Sequence, residues 1–430
     1  MKRYLLNELV SWKERSGRKP LILWGARQVG KTWLMREFGR LYYDHTVYIS
    51  FYRNKRISDI FQEDYDVRRI LRAIEVELHV HIDPERTLLI FDEVQGCQQA
   101  VESLKYFCED AGEYHVIAAG SLLGVSLHEG VSFPVGKVDE LHLYPMSFEE
   151  FLEAMDEEGL ASILLAQKTD DMNRYRDRFR ELLRTYYIVG GMPEVVLNYR
   201  TNRDLVHMRD LQLSIVNQYE GDFGKHVSER ELPRIRMVWN SLPMQLAKEN
   251  KKYFFGQVKK GARQKDFEVA LQWLSDAGLI TKVNKVTKPA MPLKAYVDQA
   301  AFKLYLIDIG LLGAMSELDP ESVMRGNDIF TEFKGALTEQ FVLQQMVADT
   351  KYTPYYYAGE KSTYEVDFLI QKGRNVIPIE VKAEENLRSK SLQVYVGKFQ
   401  PEYAVRTSMS PYRRQDWLVN IPLWGVGQLL

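Results

Sequence analysis

The sequence feature that most constrains the fold is a glycine-rich loop between a buried strand and a helix. The apolar run Leu21 to Trp24 predicts the strand, and the helical spacing of Leu34, Met35 and Phe38 predicts the helix. The loop between them matches the pattern G-x-x-x-x-G-K-[ST] at every fixed position. Its residues are Gly25, Ala26, Arg27, Gln28, Val29, Gly30, Lys31 and Thr32.

A loop of this pattern holds a polyphosphate with backbone and side-chain groups together. The glycines let backbone N–H groups curve around the phosphates, and the helix N-terminus adds partial positive charge. Lys31 is expected to reach the β- and γ-phosphates, and the Thr32 hydroxyl is expected to hold Mg²⁺. A glycine-rich turn without a ligand is the alternative, but the flanking strand and helix favour the phosphate loop. The sequence therefore predicts binding of ATP with Mg²⁺.

A second buried strand ends in two carboxylates. Thr87 to Phe91 is followed directly by Asp92 and Glu93, about 60 residues after Lys31 and with one predicted strand between. Asp92 is expected to order the Mg²⁺ shell, and Glu93 to polarise the attacking water. Acidic residues often cap strand ends without any function, but the spacing from the phosphate loop favours a hydrolytic pair.

Further strands complete the pattern of an α/β domain. Thr46 to Phe51, His115 to Ala119 and Val138 to Tyr144 read as strands, with helical segments between most of them. Ser121 follows the second of these, and it is a candidate sensor of the γ-phosphate or a residue that caps a turn or helix. Alternating strands and helices predict a parallel sheet with helices on both faces.

Composition narrows the class of protein. The two cysteines, Cys97 and Cys108, have no paired spacing, which argues against a disulfide framework or a zinc site and is typical of a reducing cytoplasm. Asn7, Glu8 and Lys13 interrupt the first apolar run, so a secretory signal is not expected. No stretch approaches 18 consecutive apolar residues, and no membrane span or membrane partner is expected. We expect an intracellular protein of two to four domains, given 430 residues.

The middle of the chain contains a basic segment. Lys248 to Lys294 has eleven Lys and Arg residues against four Asp and Glu, an excess of +7 in a chain of net charge −2. A helical pattern and then the strand-like run Ile280 to Val286 resemble a winged helix, a fold that docks on nucleic-acid backbones. A packing module with a solvated basic face is the alternative. DNA is therefore a predicted partner.

Near the C-terminus, two strand-like runs carry a second group of charged residues. Asp367 lies thirteen residues before Glu380, and Lys382 follows two residues later. Residues two apart on a strand project to the same face, so a neighbouring strand can bring the carboxylates together around Mg²⁺. Lys382 would then stabilise charge at a scissile phosphate. An exposed, ion-paired strand face is the alternative.

The first resemblance concerns the N-terminal motifs. GARQVGKT, LLIFDEVQ, AAGSLLGVSL and FPVGKVDELHLYPMSFEEFL, in this order, resemble an archaeal and bacterial group of AAA-type P-loop ATPases related to the signal-transducing ATPases with numerous domains. In that group the position of Lys137 is often arginine, which could sense phosphate or act as a finger. Lysine lacks the planar fork of arginine, so the resemblance does not carry this role over to Lys137.

The second resemblance concerns the C-terminal motif. The charged set, with Glu339 on a predicted upstream helix, resembles the PD-(D/E)xK nuclease superfamily with its restriction-endonuclease-like core, although Val366 stands where the name motif has proline. It is also similar to a domain of unknown function that trails this ATPase group. The resemblance implies Glu339, Asp367 and Glu380 as metal ligands, and Asp367, Glu380 and Lys382 as catalytic residues.

These features predict an α/β chain of four domains. They are an AAA-type P-loop ATPase core at 1–155, a helical lid at 156–228, a winged-helix-like basic segment at 229–300 and a nuclease-like domain at 301–430. In the first hypothesis, ATP hydrolysis controls how the C-terminal part engages or cuts DNA. In the second, the C-terminal part is a catalytically silent interaction module of an ATP-dependent switch or scaffold. A second copy of the chain, in a homo-oligomer, is a further candidate partner.

Overall fold

A computed structural model describes residues 1–52, 54–121, 124, 133–225, 227–248, 251–325, 328–359, 364–385 and 389–430. The chain divides into two compact units. The N-terminal unit comprises Arg3–Tyr144 with Asp276–Gly278, and the C-terminal unit comprises Met1–Lys2, Pro145–Ser275 and Leu279–Leu430. Part of the AAGSLLGVSL motif, at residues 122–123 and 125–127, lies outside the described residues.

The N-terminal unit is built on a parallel sheet. Its strands are β1 (Leu21–Trp24), β2 (His45–Ser50), β3 (Thr87–Asp92), β4 (His115–Ala119) and β5 (Asp139–His142). Its helices are α1 (Leu5–Glu14), α2 (Lys31–Tyr42), α3 (Lys55–Glu63), α4 (Val67–Leu78) and α5 (Gln98–Asp110). The strands lie in the order β2-β3-β4-β1-β5, and every pair is parallel. The predicted P-loop type of sheet is confirmed.

The core of this sheet explains why β1, β3 and β4 read as largely apolar runs. β3 and β4 are buried along their whole length, as expected for parallel strands covered on both faces. Phe51, Phe61, Phe91 and Phe107 pack edge to face with ring centroids 5.2–5.9 Å apart. Because the strands are parallel, the carboxyl ends of β1, β3 and β4 meet at one edge, with β4 in the middle.

The C-terminal unit is built on a larger, mixed sheet. Its strands are β6 (Ile280–Val286), β7 (Val297–Leu306), β8 (Tyr355–Ala358), β9 (Glu365–Lys372), β10 (Asn375–Val381), β11 (Ala404–Ser408), β12 (Arg413–Arg414) and β13 (Leu418–Pro422). They lie in the order β12-β13-β11-β10-β9-β8-β6-β7. The pairs β6–β8, β10–β11 and β11–β13 are parallel, and the other pairs are antiparallel.

Helices make up most of the rest of this unit. They are α6 (Phe148–Ala154), α7 (Glu158–Leu165), α8 (Thr169–Arg174), α9 (Arg176–Val189), α10 (Pro193–Asn202), α11 (Leu205–Asp222), α12 (Leu232–Leu246), α13 (Phe255–Val258), α14 (Glu268–Asp276), α15 (Ile309–Met315), α16 (Pro320–Arg325), α17 (Asp328–Asp349), α18 (Lys390–Phe399) and α19 (Val426–Leu429). Among the described residues, none of the helices combines the length and apolarity that crossing a bilayer requires.

The hairpin of β6 and β7 belongs to this mixed sheet. The sequence pattern placed it in a separate winged-helix-like segment, but β6 pairs with β8 and so continues the C-terminal sheet. The expected boundary at residue 300 falls inside β7. Pairing with a strand about 70 residues further along is not visible in local periodicity, which is why the sequence pattern separated the two.

A buried aspartate ties the helices that follow residue 156 to the same unit. Asp308 accepts hydrogen bonds from the Gly191 N–H at 2.7 Å and from Gln344 Nε2 at 3.0 Å. Gly190 has a φ of 73°, and a Cβ there would collide with the Asp308 carboxylate. The paired glycines therefore permit a close approach of Asp308 in addition to ending α9.

Candidate nucleotide site and C-terminal charge cluster

The phosphate loop has the backbone that its glycines suggest. Gly25 has a φ of 147° and Gly30, directly before α2, has a φ of 95°, both in the range that favours glycine. A Cβ on Gly25 would collide with the Leu143 carbonyl oxygen. Within the loop, Ala26 and Val29 are buried, whereas Arg27 and Gln28 are half-buried. The loop is thus anchored by its apolar residues.

Lys31 lies inside the curve of this loop. Its Nζ donates to the carbonyl oxygens of Gly25 and Ala26, each at 2.7 Å, and the residue is only 6% exposed. Burial lowers the pKa of Lys31 to about 8, although the nearby Glu93 and Asp92 carboxylates oppose that shift. A phosphate would offer this lysine charged acceptors in place of neutral carbonyls, so the geometry is suited to binding one.

Asp92 and Thr32 form the oxygen pair that the sequence predicts for Mg²⁺. The Thr32 hydroxyl donates to Asp92 Oδ2 at 2.7 Å, and the Tyr48 hydroxyl donates to the same oxygen at 2.8 Å. The other carboxylate oxygen accepts from the Glu93 backbone N–H at 3.0 Å. A hydroxyl and a carboxylate in contact at the phosphate loop are the ligands that Mg²⁺ prefers, so the residues fit the ion.

Glu93 is held at the tip of β3 by two neighbours. Ser121 Oγ donates to Glu93 Oε1 at 3.0 Å, and Gln95 Nε2 donates to the other carboxylate oxygen. Glu93 has a φ of 55°, a left-handed conformation that is rare for glutamate and more frequent at functional sites. Because β4 lies between β1 and β3, the structure brings Ser121 beside the predicted catalytic carboxylate. Its role as a γ-phosphate sensor stays a prediction.

Arg3 is a residue of this site that sequence reasoning missed. It is 4% exposed, and its guanidinium donates to the carbonyl oxygens of Val29 at 2.7 Å and Tyr144 at 2.6 Å. Arg3 thereby joins the phosphate loop to the segment after β5. A single arginine before an amphipathic helix carries no sequence signal for such a contact.

Arg3→Met is expected to destabilise the N-terminal unit by about 1–3 kcal/mol for each buried carbonyl left unpaired. The methionine stem keeps most of the packing, so the loss reports the hydrogen bonds. Thermal unfolding with and without ATP measures the effect, and the exposed neighbour change Lys2→Met is the control. An unchanged unfolding midpoint would show that Arg3 does not hold the loop.

Lys137 lies away from the phosphate loop of its own chain. It precedes β5, at the amino ends of the strands, whereas the loop follows the carboxyl end of β1. Its Nζ forms an ion pair with Glu109 at 2.8 Å. It therefore does not contact a nucleotide bound by its own chain.

In the C-terminal unit, the predicted Asp367, Glu380 and Lys382 do come together. β9 and β10 are antiparallel neighbours, and Asp367 Oδ2 accepts from the Val381 N–H at 2.7 Å. Lys382 Nζ lies 2.7 Å from Glu380 Oε1. The strand register thus places all three residues on one face at the ends of the two strands.

Glu339 joins this group from α17, but lysines and a tyrosine occupy its oxygens. Lys251 Nζ donates to Glu339 Oε1, and the Tyr305 hydroxyl donates to Oε2 at 3.1 Å. Lys303, which is fully buried, lies 3.8 Å from Glu339 Oε2 and 2.6 Å from Glu365 Oε1. Lys303 was detectable in the sequence as the one cation in the apolar run AFKLYLI, whereas Lys251 gave no signal.

These residues form what we call the charge cluster. Its members are Lys251, Lys303, Lys382, Glu339, Glu365, Asp367 and Glu380. Burial, and then the neighbouring Glu339 and Glu380 carboxylates, raise the pKa of Asp367 well above its ordinary value. Burial also raises the pKa of Glu380. Burial acts in the same direction on Glu339, but Lys251 and Lys303 lower its pKa by more.

The charge cluster does not fit the metal site that the resemblance implied. In the part of the chain that the structure describes, no group of three or more His, Cys, Asp or Glu side chains could hold a metal ion. The physical reason is that Lys251 and Lys303 supply the positive charge around Glu339, and Lys382 supplies it at Glu380. A metal bound by Glu339 would have to displace Lys251 and the Tyr305 hydroxyl from its oxygens.

Asp367→Asn is expected to flatten the pH dependence of stability in the C-terminal unit. Because the folded-state pKa of Asp367 is raised, its contribution is full below the ordinary pKa of 3.8 and is lost as pH rises through the folded-state pKa. The stability of the asparagine variant should therefore increase relative to that of the wild type as pH rises from about 4 to 8. Unfolding midpoints across that range test this, with the exposed Asp416→Asn as control. A constant difference at every pH would contradict it.

The fold and the loop geometry together define the class of the N-terminal unit. Residues 17–152 match the model of a family described as an AAA domain. Residues 180–322 match a domain of unknown function (DUF8612), and residues 334–425 match another domain of unknown function (DUF4143). The N-terminal unit is therefore a P-loop domain of the ATPase type. No curated protein matches the chain.

Three solved structures are similar to parts of this chain at low sequence identity. A Walker-type ATPase of Pyrococcus abyssi is 14% identical, with 72% of this chain and 94% of that chain covered and a TM-score of 0.45. The Orc1 protein of Aeropyrum pernix, solved in complex with DNA, is 13% identical over 73% and 90% of the two chains, with a TM-score of 0.26. A signal transduction ATPase with numerous domains from Pyrococcus horikoshii is 12% identical over 82% and 46%, with a TM-score of 0.28. At these values the likenesses support no conclusion about function.

Proposed function

We propose that this protein binds ATP with Mg²⁺, hydrolyses it, and uses the cycle to control how it engages nucleic acid. The observation that carries the ATPase part is the contact of Thr32 with Asp92 beside a buried Lys31, and of Ser121 with Glu93. These residues come from two strand ends and one helix start, and they meet at a single edge of the sheet.

Each residue has a defined task in hydrolysis. The backbone of the phosphate loop and Lys31 hold the β- and γ-phosphates, and Thr32 and Asp92 hold Mg²⁺, which neutralises charge on the phosphate oxygens when bound. Glu93 orients the attacking water and accepts its proton. Ser121 and Gln95 keep the Glu93 carboxylate in position through their hydrogen bonds.

The ATPase proposal is tested by comparing Lys31→Ala with the wild type. Nucleotide binding and hydrolysis should both be lost, because the lysine ammonium cannot be replaced by the loop N–H groups alone. Lys105→Ala, which changes an exposed lysine on α5, should bind and hydrolyse ATP as the wild type does. Retained ATP binding by the Lys31→Ala variant would contradict the proposal that Lys31 holds the phosphates.

Engagement of nucleic acid is supported by the distribution of charge. The basic excess of +7 between Lys248 and Lys294 is confined to one part of a nearly neutral chain. Phosphate contacts give affinity that is largely independent of sequence and falls with salt. Binding of the wild-type protein to a labelled DNA duplex, over a series of salt concentrations, is the direct test.

For the C-terminal domain, the charge cluster favours the silent interaction module over a metal-dependent nuclease. Lysines pair with Glu339, Glu365 and Glu380, and Glu339 has protein partners on both oxygens. We therefore expect the full chain to leave a supercoiled plasmid intact in Mg²⁺ or Mn²⁺, with or without ATP. Nicking that disappears in Lys382→Ala would instead establish the nuclease.

A further inference from the structure

A pocket in the C-terminal unit has a cationic lining. It has a volume of about 430 Å³ and lies between the start of α12 and the turn that follows α13. Arg230 and Arg234 line it on the side of α12, and Lys259 and Lys260 line it on the side of the turn. Phe267 contributes an apolar wall, and Asp266 is the one acidic residue in the lining. We call this site the cationic pocket.

Most of these cations lack a partner of opposite charge. Arg230, Lys259 and Lys260 are exposed, and none of them forms an ion pair within the described ranges of the chain. Arg234 forms one, with Glu231 at 2.6 Å. Asp266 is engaged elsewhere, because a carboxylate oxygen accepts from the Arg263 backbone N–H at 2.9 Å. Three of the four cations that line the pocket therefore have no ion-pair partner in the described part of the chain.

We propose that the cationic pocket binds phosphate groups of a nucleic-acid backbone. This inference rests on the proposed function and locates its contact. The turn after α13 is suited to a close backbone approach, since Gly261 has a φ of 79° and no heavy atom within 4 Å of the position of a Cβ. The cations are exposed and come from two separate elements, which suits contacts along a strand. A site for a small phosphorylated molecule would enclose its ligand more fully.

The test compares two charge reversals of equal size, one in the pocket and one outside it. Arg230→Glu/Lys260→Glu removes two cations from the pocket, and Lys288→Glu/Lys294→Glu removes two exposed cations outside it. Binding of a fluorescent DNA duplex is measured by anisotropy over a salt series. The pocket variant should lose at least about tenfold in affinity at low salt, and its log–log salt slope should fall by about 0.9 per lost contact. The control variant should lose less than about threefold.

The outcomes separate this inference from the proposed function. If the wild type binds DNA and the two variants lose affinity equally, the contact is general electrostatics and the pocket assignment is wrong. The pocket assignment is also wrong if the pocket variant binds DNA as tightly as the wild type. If the wild type itself binds no DNA at low salt, the proposed nucleic-acid function fails. Unfolding midpoints of both variants confirm that each is folded.

Discussion

Glu93→Gln protein is expected to bind ATP while its hydrolysis rate falls by about 10²–10⁴-fold. The amide keeps the size of the carboxylate, and it can still accept a hydrogen bond from Ser121. It cannot take a proton from the attacking water, so the loss should appear in kcat with little change in nucleotide affinity. Single-turnover hydrolysis and binding of a fluorescent nucleotide measure the two quantities separately.

Substitutions of two neighbouring residues show whether the loss of hydrolysis is specific to Glu93. Asp92→Asn should raise the Mg²⁺ concentration that hydrolysis requires, because Asp92 is in contact with Thr32, the other residue proposed to hold Mg²⁺. Gln95→Ala should lower kcat less than Glu93→Gln does, since Gln95 acts only through the Glu93 carboxylate. Hydrolysis by Glu93→Gln at the wild-type rate would remove Glu93 from the role of general base.

Lys303→Met is expected to destabilise the C-terminal unit by about 3–5 kcal/mol. Lys303 is fully buried and lies between the Glu365 and Glu339 carboxylates. Burial alone would lower the pKa of Lys303. The Tyr305 hydroxyl and these carboxylates raise the pKa by more than burial lowers it, so the lysine stays charged. Removing it leaves Glu365 without its lysine partner and removes one of the two lysines beside Glu339. Chemical denaturation measures the loss, and the exposed Lys351→Met should change stability by less than about 0.5 kcal/mol.

A second substitution tests whether charge is the cause. Adding Glu365→Gln to Lys303→Met removes the carboxylate 2.6 Å from the lysine, and it should restore at least about 1 kcal/mol. If the double variant is less stable than Lys303→Met alone, the lysine stabilises by packing and the account of the charge cluster is wrong.

The sequence predicts the N-terminal unit well because its determinants are local. The phosphate loop is contiguous, and the central strands β1, β3 and β4 are largely apolar runs. The structure reproduces the bounds of all five predicted strands within one or two residues. The position of Ser121 beside Glu93 depends on strand order, but that order follows from the fold class. Arg3 could not be predicted, because its two carbonyl partners lie 26 and 141 residues away along the chain.

In the C-terminal unit, several important contacts join residues that are far apart in the sequence, and local patterns do not predict them. Asp367, Glu380 and Lys382 were found because they lie on neighbouring strands. Lys251 and Glu339 are 88 residues apart in the sequence and form an ion pair. Glu339 was predicted as a metal ligand, and this contact gives one of its oxygens a lysine partner. The basic hairpin was assigned from its charge, whereas its pairing with β8 is a long-range property of the sheet.

The affinity of Glu93→Gln protein for a DNA duplex tests most directly whether the nucleotide state controls engagement of nucleic acid. This variant can be held with ATP bound, so its affinity can be compared with those of the ADP-bound and nucleotide-free protein at one salt concentration. We predict a difference of at least about fivefold between the ATP and ADP states, with DNA changing the ratio of ATP affinity to ADP affinity by the same factor. Equal DNA affinity in all three states would contradict the claim.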